Sequence, residues 1–259
     1  MRTAAIAARR ASLEMASLAE TVKNRALGRI AELLFERRKE IFAANEHDRQ
    51  RAAEEGLSAP QLKRLLFDRQ KLDGVIAGID TLISLPEPVG KVQLARELDE
   101  GLELYRVSCP IGVIGMIFES RPDALVQIAT LCLKSGNAVL LKGGSEAMET
   151  NKILCEVIAS AANKSGIPKG WIYNLESRDE VKAMLSMDGE IDLLVPRGSN
   201  EFVRYIMDNS RIPVMGHADG ICHTYIHAAA DPLLAVRVAV DGKAQYVAVC
   251  NATETILID

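Results

Sequence analysis

A chain of 259 residues that is 48% hydrophobic and 25% charged can enclose one large core or two modest ones, and it is composed like an ordinary globular protein. A formal net charge of −4 and a pI near 5.7 leave no basic surface for a nucleic-acid partner. No apolar run approaches the roughly 18–20 residues of a membrane span, so no membrane partner is expected. The five cysteines are odd in number and lack a Cys-x-x-Cys spacing, which suits reduced thiols in a cytoplasmic protein. Arg2, Arg9 and Arg10 among alanines have the flavour of a transit peptide. Glu14, Glu20 and helical periodicity instead make the segment an ordinary first helix.

Residues 1 to about 83 read as helix after helix. Thr21 is placed to cap a long one, with Leu27, Ile30, Leu34 and Ile41 on one face and Arg37, Arg38 and Lys39 on another. Gly56 to Pro60 breaks the pattern, and Gln61 to Phe67 and Lys71 to Ile83 restart it. Pro86, Pro88 and Gly90 mark a boundary. Val92 to Leu98 and Leu102 to Val107 then form a hairpin around Asp99-Glu-Gly101, a projecting ribbon suited to an oligomer contact.

From Pro110 strand and helix alternate. Strands over Ile111–Phe118, Ala138–Lys142, Trp171–Tyr173 and Ile191–Val195 lead to helices over Pro122–Lys134, Ser145–Ala162, Arg178–Met187 and Asn200–Met207. Val214, Cys222 to Ile226 and Thr255 to Ile258 add strands, and Asp231 to Asp241 adds a helix. Apolar strands joined by crossover helices predict an α/β fold with a Rossmann-type parallel sheet covered by helices, binding ligands at the strand C-terminal ends. The expected division is 1–90 helical, 91–109 hairpin, 110–218 cofactor-binding and 219–259 the beginning of a catalytic domain.

No G-x-G-x-x-G is present, only Gly112-Val-Ile-Gly115. Two other strand-to-helix turns offer small residues and a base to a phosphate-bearing cofactor: Lys142-Gly-Gly-Ser145 and Arg197-Gly-Ser199. Alone, each is more often a plain turn with a solvated base, but two in successive units of one sheet are more telling. Arg121 and Glu119 lie beyond a strand end where a substrate would be met, or form a surface ion pair ahead of Pro122. Cys222 and His223 are adjacent and point to opposite faces of a strand, which argues against a metal site, and none is expected. His217 sits on a glycine-framed loop and is the histidine best placed for function. Cys250 follows an apolar run and precedes a strand by only a few residues. It is therefore expected on a tight turn or the first turn of a short helix, where unpaired N–H groups can hold a thiolate or an oxyanion.

Together these segments resemble the gamma-glutamyl phosphate reductases of the aldehyde dehydrogenase superfamily. The resemblance rests on Pro110-Ile-Gly-Val-Ile-Gly-Met-Ile-Phe-Glu-Ser-Arg-Pro-Asp123, Ser135–Gly144, Val195–Asn200, Pro213–His223 and Cys250–Leu257. It implies an aldehyde-dehydrogenase-like fold and NADPH-dependent reduction of L-glutamyl 5-phosphate to L-glutamate 5-semialdehyde with release of phosphate, in proline biosynthesis. It also implies residue roles. Cys250, followed by Asn251, matches the catalytic nucleophile that forms a thioester. Lys142 and Gly143 match the ribose-binding turn, and Gly198 and Ser199 the pyrophosphate contact. Ser145 stands where NAD-preferring relatives often carry a glutamate, which favours NADPH. Arg121 falls where hydrolytic relatives place an oxyanion asparagine. With His217 it is read as substrate-binding.

By the same alignment Val214 occupies the place of the glutamate base that hydrolytic aldehyde dehydrogenases use, and a thioester resolved by hydride needs no such base. Val247 replaces a usual proline and Thr253 a usual methionine, with small positional effects expected. No amino-acid-kinase segment precedes the match, which suits the single-function form. Family members continue past Asp259, so the resemblance implies a chain holding only the opening of its catalytic domain, with an uncovered apolar strand, and a homo-oligomer at full length. The rival readings are a non-catalytic nucleotide-binding fragment and a hydrolytic aldehyde dehydrogenase.

Overall fold

Alanine and leucine at helical spacing organise the first eighty residues into α1 (Arg2–Met15), α2 (Glu20–Glu36), α3 (Arg38–Glu54), α4 (Ala59–Leu65) and α5 (Arg69–Ser84). Ala5, Ala8, Ala11 and Met15 form the buried stripe of α1, and Leu27, Ile30 and Leu34 that of α2. The expected single long helix is two, because the chain turns at Arg37 and Ile41 begins its stripe anew in α3. Thr21 is not a cap: Ala19 occupies that position with no side-chain bond, and Glu20 supplies the negative charge in the first turn. Ser58 and Gln61 form a capping box on α4, and Asp68 accepts from the backbone N–H of Lys71 to start α5. The computed structural model describes residues 1–259 except Ser120, residues 217–219 and Ala248.

A hairpin follows, β1 (Val92–Asp99) antiparallel to β2 (Leu102–Val107), with every residue of both strands exposed. Glu97 lies directly opposite Glu103, a like-charge pair that weakens the ribbon on its own.

The sheet of this unit contains β3 (Val113–Ile117), β4 (Ala138–Lys142), β5 (Ile172–Asn174) and β6 (Leu193–Pro196), all parallel, in the order β5-β4-β3-β6. Residues 138–141 are fully buried because helices cover both faces. The connecting helices are α6 (Pro122–Lys134), α7 (Met148–Lys164), α8 (Arg178–Met184) and α9 (Asn200–Asp208). The helix expected from Ser145 begins instead as a 3-10 turn over Ser145–Ala147, and α7 proper starts at Met148. Its start is fixed from outside. The fully buried Asp48 of α3 accepts from the backbone N–H of Thr150 at 2.8 Å and from its hydroxyl at 2.7 Å.

Both glycines of Gly112-Val-Ile-Gly115 serve packing. A Cβ on Gly112 would lie 2.0 Å from Asp192 Oδ2, and one on Gly115 would lie 2.6 Å from Leu194 Cδ2. Asp192 accepts from the Val113 N–H at 2.8 Å and from both terminal nitrogens of Arg9, each at 2.8 Å, clamping α1 onto the N-terminal edge of the sheet.

The chain divides into two compact units, Met1–Gly216 and His217–Asp259. In the second, β7 (Cys222–Ile226) pairs in parallel with β8 (Thr253–Ile258) through α10 (Pro232–Ala244), which Asp231 caps by accepting from the Leu234 N–H at 2.7 Å. The buried Thr253 hydroxyl bonds the Thr224 hydroxyl at 2.9 Å, so the residue standing for a methionine carries a polar link between the strands. Among the described residues no helix is long and apolar enough to cross a membrane.

Candidate active site

Strand order locates a crevice. From β3 the chain moves outward to β4 and β5, then returns to place β6 on the other side of β3. The connections leaving the ends of β3 and β6 therefore diverge, and open α/β sheets bind ligands at such a switch point. Ile117 is level with Lys142 on one side and Pro196 on the other, so both glycine-bearing turns rise from the same edge of the sheet.

Lys142 ends β4, and its Nζ donates to the Gly143 carbonyl at 2.5 Å. Gly143 is required there, since a Cβ would sit 2.2 Å from Asn151 Nδ2 and 3.2 Å from the Phe118 ring. Ser145 is exposed at the head of the 3-10 turn, its carbonyl 3.5 Å from Arg51 Nη2. Across β3, a Cβ on Gly198 would crowd the Phe202 ring at 3.1 Å, and Ser199 caps α9 by accepting from the Phe202 N–H at 3.3 Å. This arrangement offers backbone N–H groups at a helix start and a lysine at a neighbouring strand end, which suits a pyrophosphate and a ribose.

Arg121 is the N-cap residue of α6, with Pro122 first in the helix. Its guanidinium bonds Asp123 at 2.9 Å, and Lys71 reaches the other oxygen of the same carboxylate at 3.2 Å. The ion pair considered between Glu119 and Arg121 is replaced by Arg64–Glu119 at 3.6 Å. With Asp123 buried and both its oxygens engaged, the half-exposed Arg121 is held at the β3 end. Val214 is partly buried against the core and bridges Leu194, with no acid or base to contribute.

The first unit thus brings Arg121, Lys142, Gly143, Ser145, Gly198 and Ser199 to one edge of its sheet. Cys250 and Asn251 belong to the second unit, and His217 lies outside the described residues. Cys250 sits on a turn rather than a helix, and its side chain is exposed. Two contacts fix that turn. A Cβ on Gly220 would fall 2.1 Å from the Cys250 carbonyl oxygen, and the Cys222 thiol donates to the same oxygen at 3.5 Å.

Sequence reasoning did not find Asp48, Asp123, Asn151 or the Cys222 contact. Asn151 is buried with its Oδ1 unpartnered, directly against Gly143. Only the motif text around Asp123 gave a signal; the other three depend on contacts between distant segments.

A profile of the aldehyde dehydrogenase family matches residues 1–259, and the chain belongs to that family. Within it, the chain is similar to gamma-glutamyl phosphate reductases. It is 65% identical over 248 residues to that of Acetivibrio thermocellus, covering 96% of this chain and 58% of the relative. The crystal structure of gamma-glutamyl phosphate reductase from Thermotoga maritima superposes with a TM-score of 0.95 at 36% identity, covering 99% of this chain and 63% of that one. The Saccharomyces cerevisiae protein of the same name gives 0.78 at 41% identity, covering 99% and 65%. The chain spans about 58% of the length of the curated relatives it matches.

Proposed function

We propose that this chain carries the cofactor site and nucleophile of a reductase that converts L-glutamyl 5-phosphate to L-glutamate 5-semialdehyde and phosphate in proline biosynthesis, with NADPH as reductant. The observation that carries this reading is Cys250, exposed on a braced turn in a chain 65% identical to a protein named for that reaction. A nicotinamide cofactor belongs to the family. Lys142, Gly143 and Ser145 would hold its ribose end, and Gly198 and Ser199 its pyrophosphate. Gly143 packs tightly against Asn151 and Phe118 at the end of β4, which holds this turn in place. Ser145, neutral where a glutamate would repel a 2′-phosphate, favours NADPH over NADH.

In the proposed sequence the Cys250 sulfur attacks the acyl carbon and the C–O bond to phosphate breaks, leaving a thioester. The bound cofactor supplies a hydride equivalent. The resulting thiohemiacetal on Cys250 collapses, releasing the aldehyde and restoring the sulfur anion. Arg121, oriented by Asp123, would meet a phosphate or carboxylate of the substrate. By the resemblance, Asn251 is read as catalytic beside Cys250 and His217 as substrate-binding. Val214 leaves no base to activate water, so the thioester is spared hydrolysis. The protein works in the cytoplasm, where thiols stay reduced. The exposed β1–β2 ribbon supports assembly with further copies of the chain, and sedimentation as a monomer would remove that part of the reading.

Phosphate-dependent oxidation of glutamate 5-semialdehyde, followed at the nicotinamide absorbance, tests the whole. Cys250→Ser is expected to lower turnover by on the order of 10³-fold or more while NADPH binding stays intact. Arg121→Ala is expected to raise KM for substrate. Retained turnover in Cys250→Ser would refute the assignment. Binding without turnover in the unaltered protein would favour the non-catalytic fragment, and free carboxylate as product a hydrolytic enzyme.

A further inference from the structure

The five cysteines are not equivalent. Cys132 and Cys155 lie in the core of the first unit, where burial pushes both thiols up to about 12 and leaves them inert. Cys109 is exposed in that same unit. Cys222 and Cys250 share the second unit, 28 residues apart in sequence, and the parallel pairing of β7 with β8 brings them together. Cys222 lies opposite Thr253 in the strand register, and its sulfur is 3.5 Å from the Cys250 carbonyl oxygen. Gly220, without a Cβ, lets the entry to β7 lie directly against that peptide. The Cys222 thiol therefore lies against the backbone of Cys250, and both residues meet solvent, Cys250 exposed and Cys222 in part.

We propose that Cys222 is the resolving thiol of Cys250, so that a peroxide converts the two into a reversible disulfide that caps the nucleophile. This rests on the reading of Cys250 as a reactive thiol. In the first step the Cys250 sulfur attacks one oxygen of the peroxide; the O–O bond breaks, and Cys250 becomes a sulfenic acid as the second oxygen leaves as hydroxide or alkoxide. In the second, the Cys222 sulfur attacks the Cys250 sulfur, the S–O bond breaks, and water leaves with the Cys222 proton. Two thiols are oxidised by two electrons in all, and the peroxide is reduced by two. Without Cys222 the second unit offers the sulfenic acid no other thiol, and a second peroxide carries it to the sulfinic acid, which dithiothreitol does not reverse. The bridge engages the Cys250 sulfur itself, so the oxidised protein is inactive but protected.

The test is peptide mass spectrometry on protein treated with a small excess of hydrogen peroxide and quenched with iodoacetamide. The unaltered protein is expected to yield a Cys222–Cys250 cross-linked pair that dithiothreitol returns to two thiols. Cys222→Ser is expected to accumulate sulfinic Cys250 and to regain little labelling after dithiothreitol. Equal sulfinic yield in both proteins, or a cross-link from Cys250 to Cys109, would overturn the proposal. These masses are read without an activity assay. If turnover survives Cys250→Ser, the catalytic reading falls while the cross-link result stands or falls alone.

Discussion

Helix α2 and helix α10 carry similar numbers of aliphatic residues and use them differently. In α2 the apolar residues form a stripe, and Leu27, Ile30 and Leu34 are fully buried under α5 and α7. In α10 they run all round the helix, and Leu233, Val236, Val238 and Val240 are each more than half exposed, Leu233 by 77%. Strand β8 repeats the contrast with β4: residues 138–141 are buried, whereas Ile258 is 75% exposed. A helix apolar on every side is composed for full enclosure. The first unit supplies its own cover, and the second, as it stands, displays residues suited to an interior. The expected uncovered strand is therefore present in β8.

Three substitutions would break or sharpen this contrast. Ile30→Ala removes a fully buried side chain and is expected to cost about 2–5 kcal/mol. Trp171, the single tryptophan and itself fully buried in the first unit, reports that loss as a lower urea midpoint in its fluorescence. An unchanged midpoint would mean the first unit's core is not what holds it. Gly143→Ala presses a methyl onto Asn151 and is expected to cost about 1–3 kcal/mol by the same probe and to weaken NADPH binding. Wild-type affinity would remove that turn from the cofactor site. Leu233→Ala, at the exposed head of α10, is expected to shift amide-exchange protection of β8 by less than about 0.5 kcal/mol. A large shift would show that α10 is covered in solution.

Much of the architecture was legible because its signals are local. Pro122, Ser199 and the Asp231-Pro232 pair each start a helix where capping chemistry places it. The buried strands announced themselves as short apolar runs. The failures have two causes, a local cap that carries no side-chain signal and a partner far away in the chain. Thr21 looked like a cap because nothing nearby said that Ala19 would serve. Ser145 looked like the first residue of α7 because the capping carboxylate, Asp48, arrives from α3. Motif text singled out Cys250, Lys142 and the Gly198–Ser199 turn as candidates, but not the contacts that hold them. Asp123 bridging Arg121 and Lys71, and Cys222 bracing Cys250, depend on pairings that no window of sequence contains.

The clamp of Arg9 on Asp192 spans 183 residues of sequence, and that length is also a delay. A ribosome adds roughly 5–20 residues per second, so α1 exists for about 10–40 s before its carboxylate partner is made. During that interval the helix can already meet β3 and β4, made earlier, but its Arg9 clamp has no partner. The alanine-rich composition suits the wait, for a stripe of methyl groups is a weak target for misplaced association. The last strand of the parallel sheet to be made, rather than the first helix, decides when the clamp on the first unit closes.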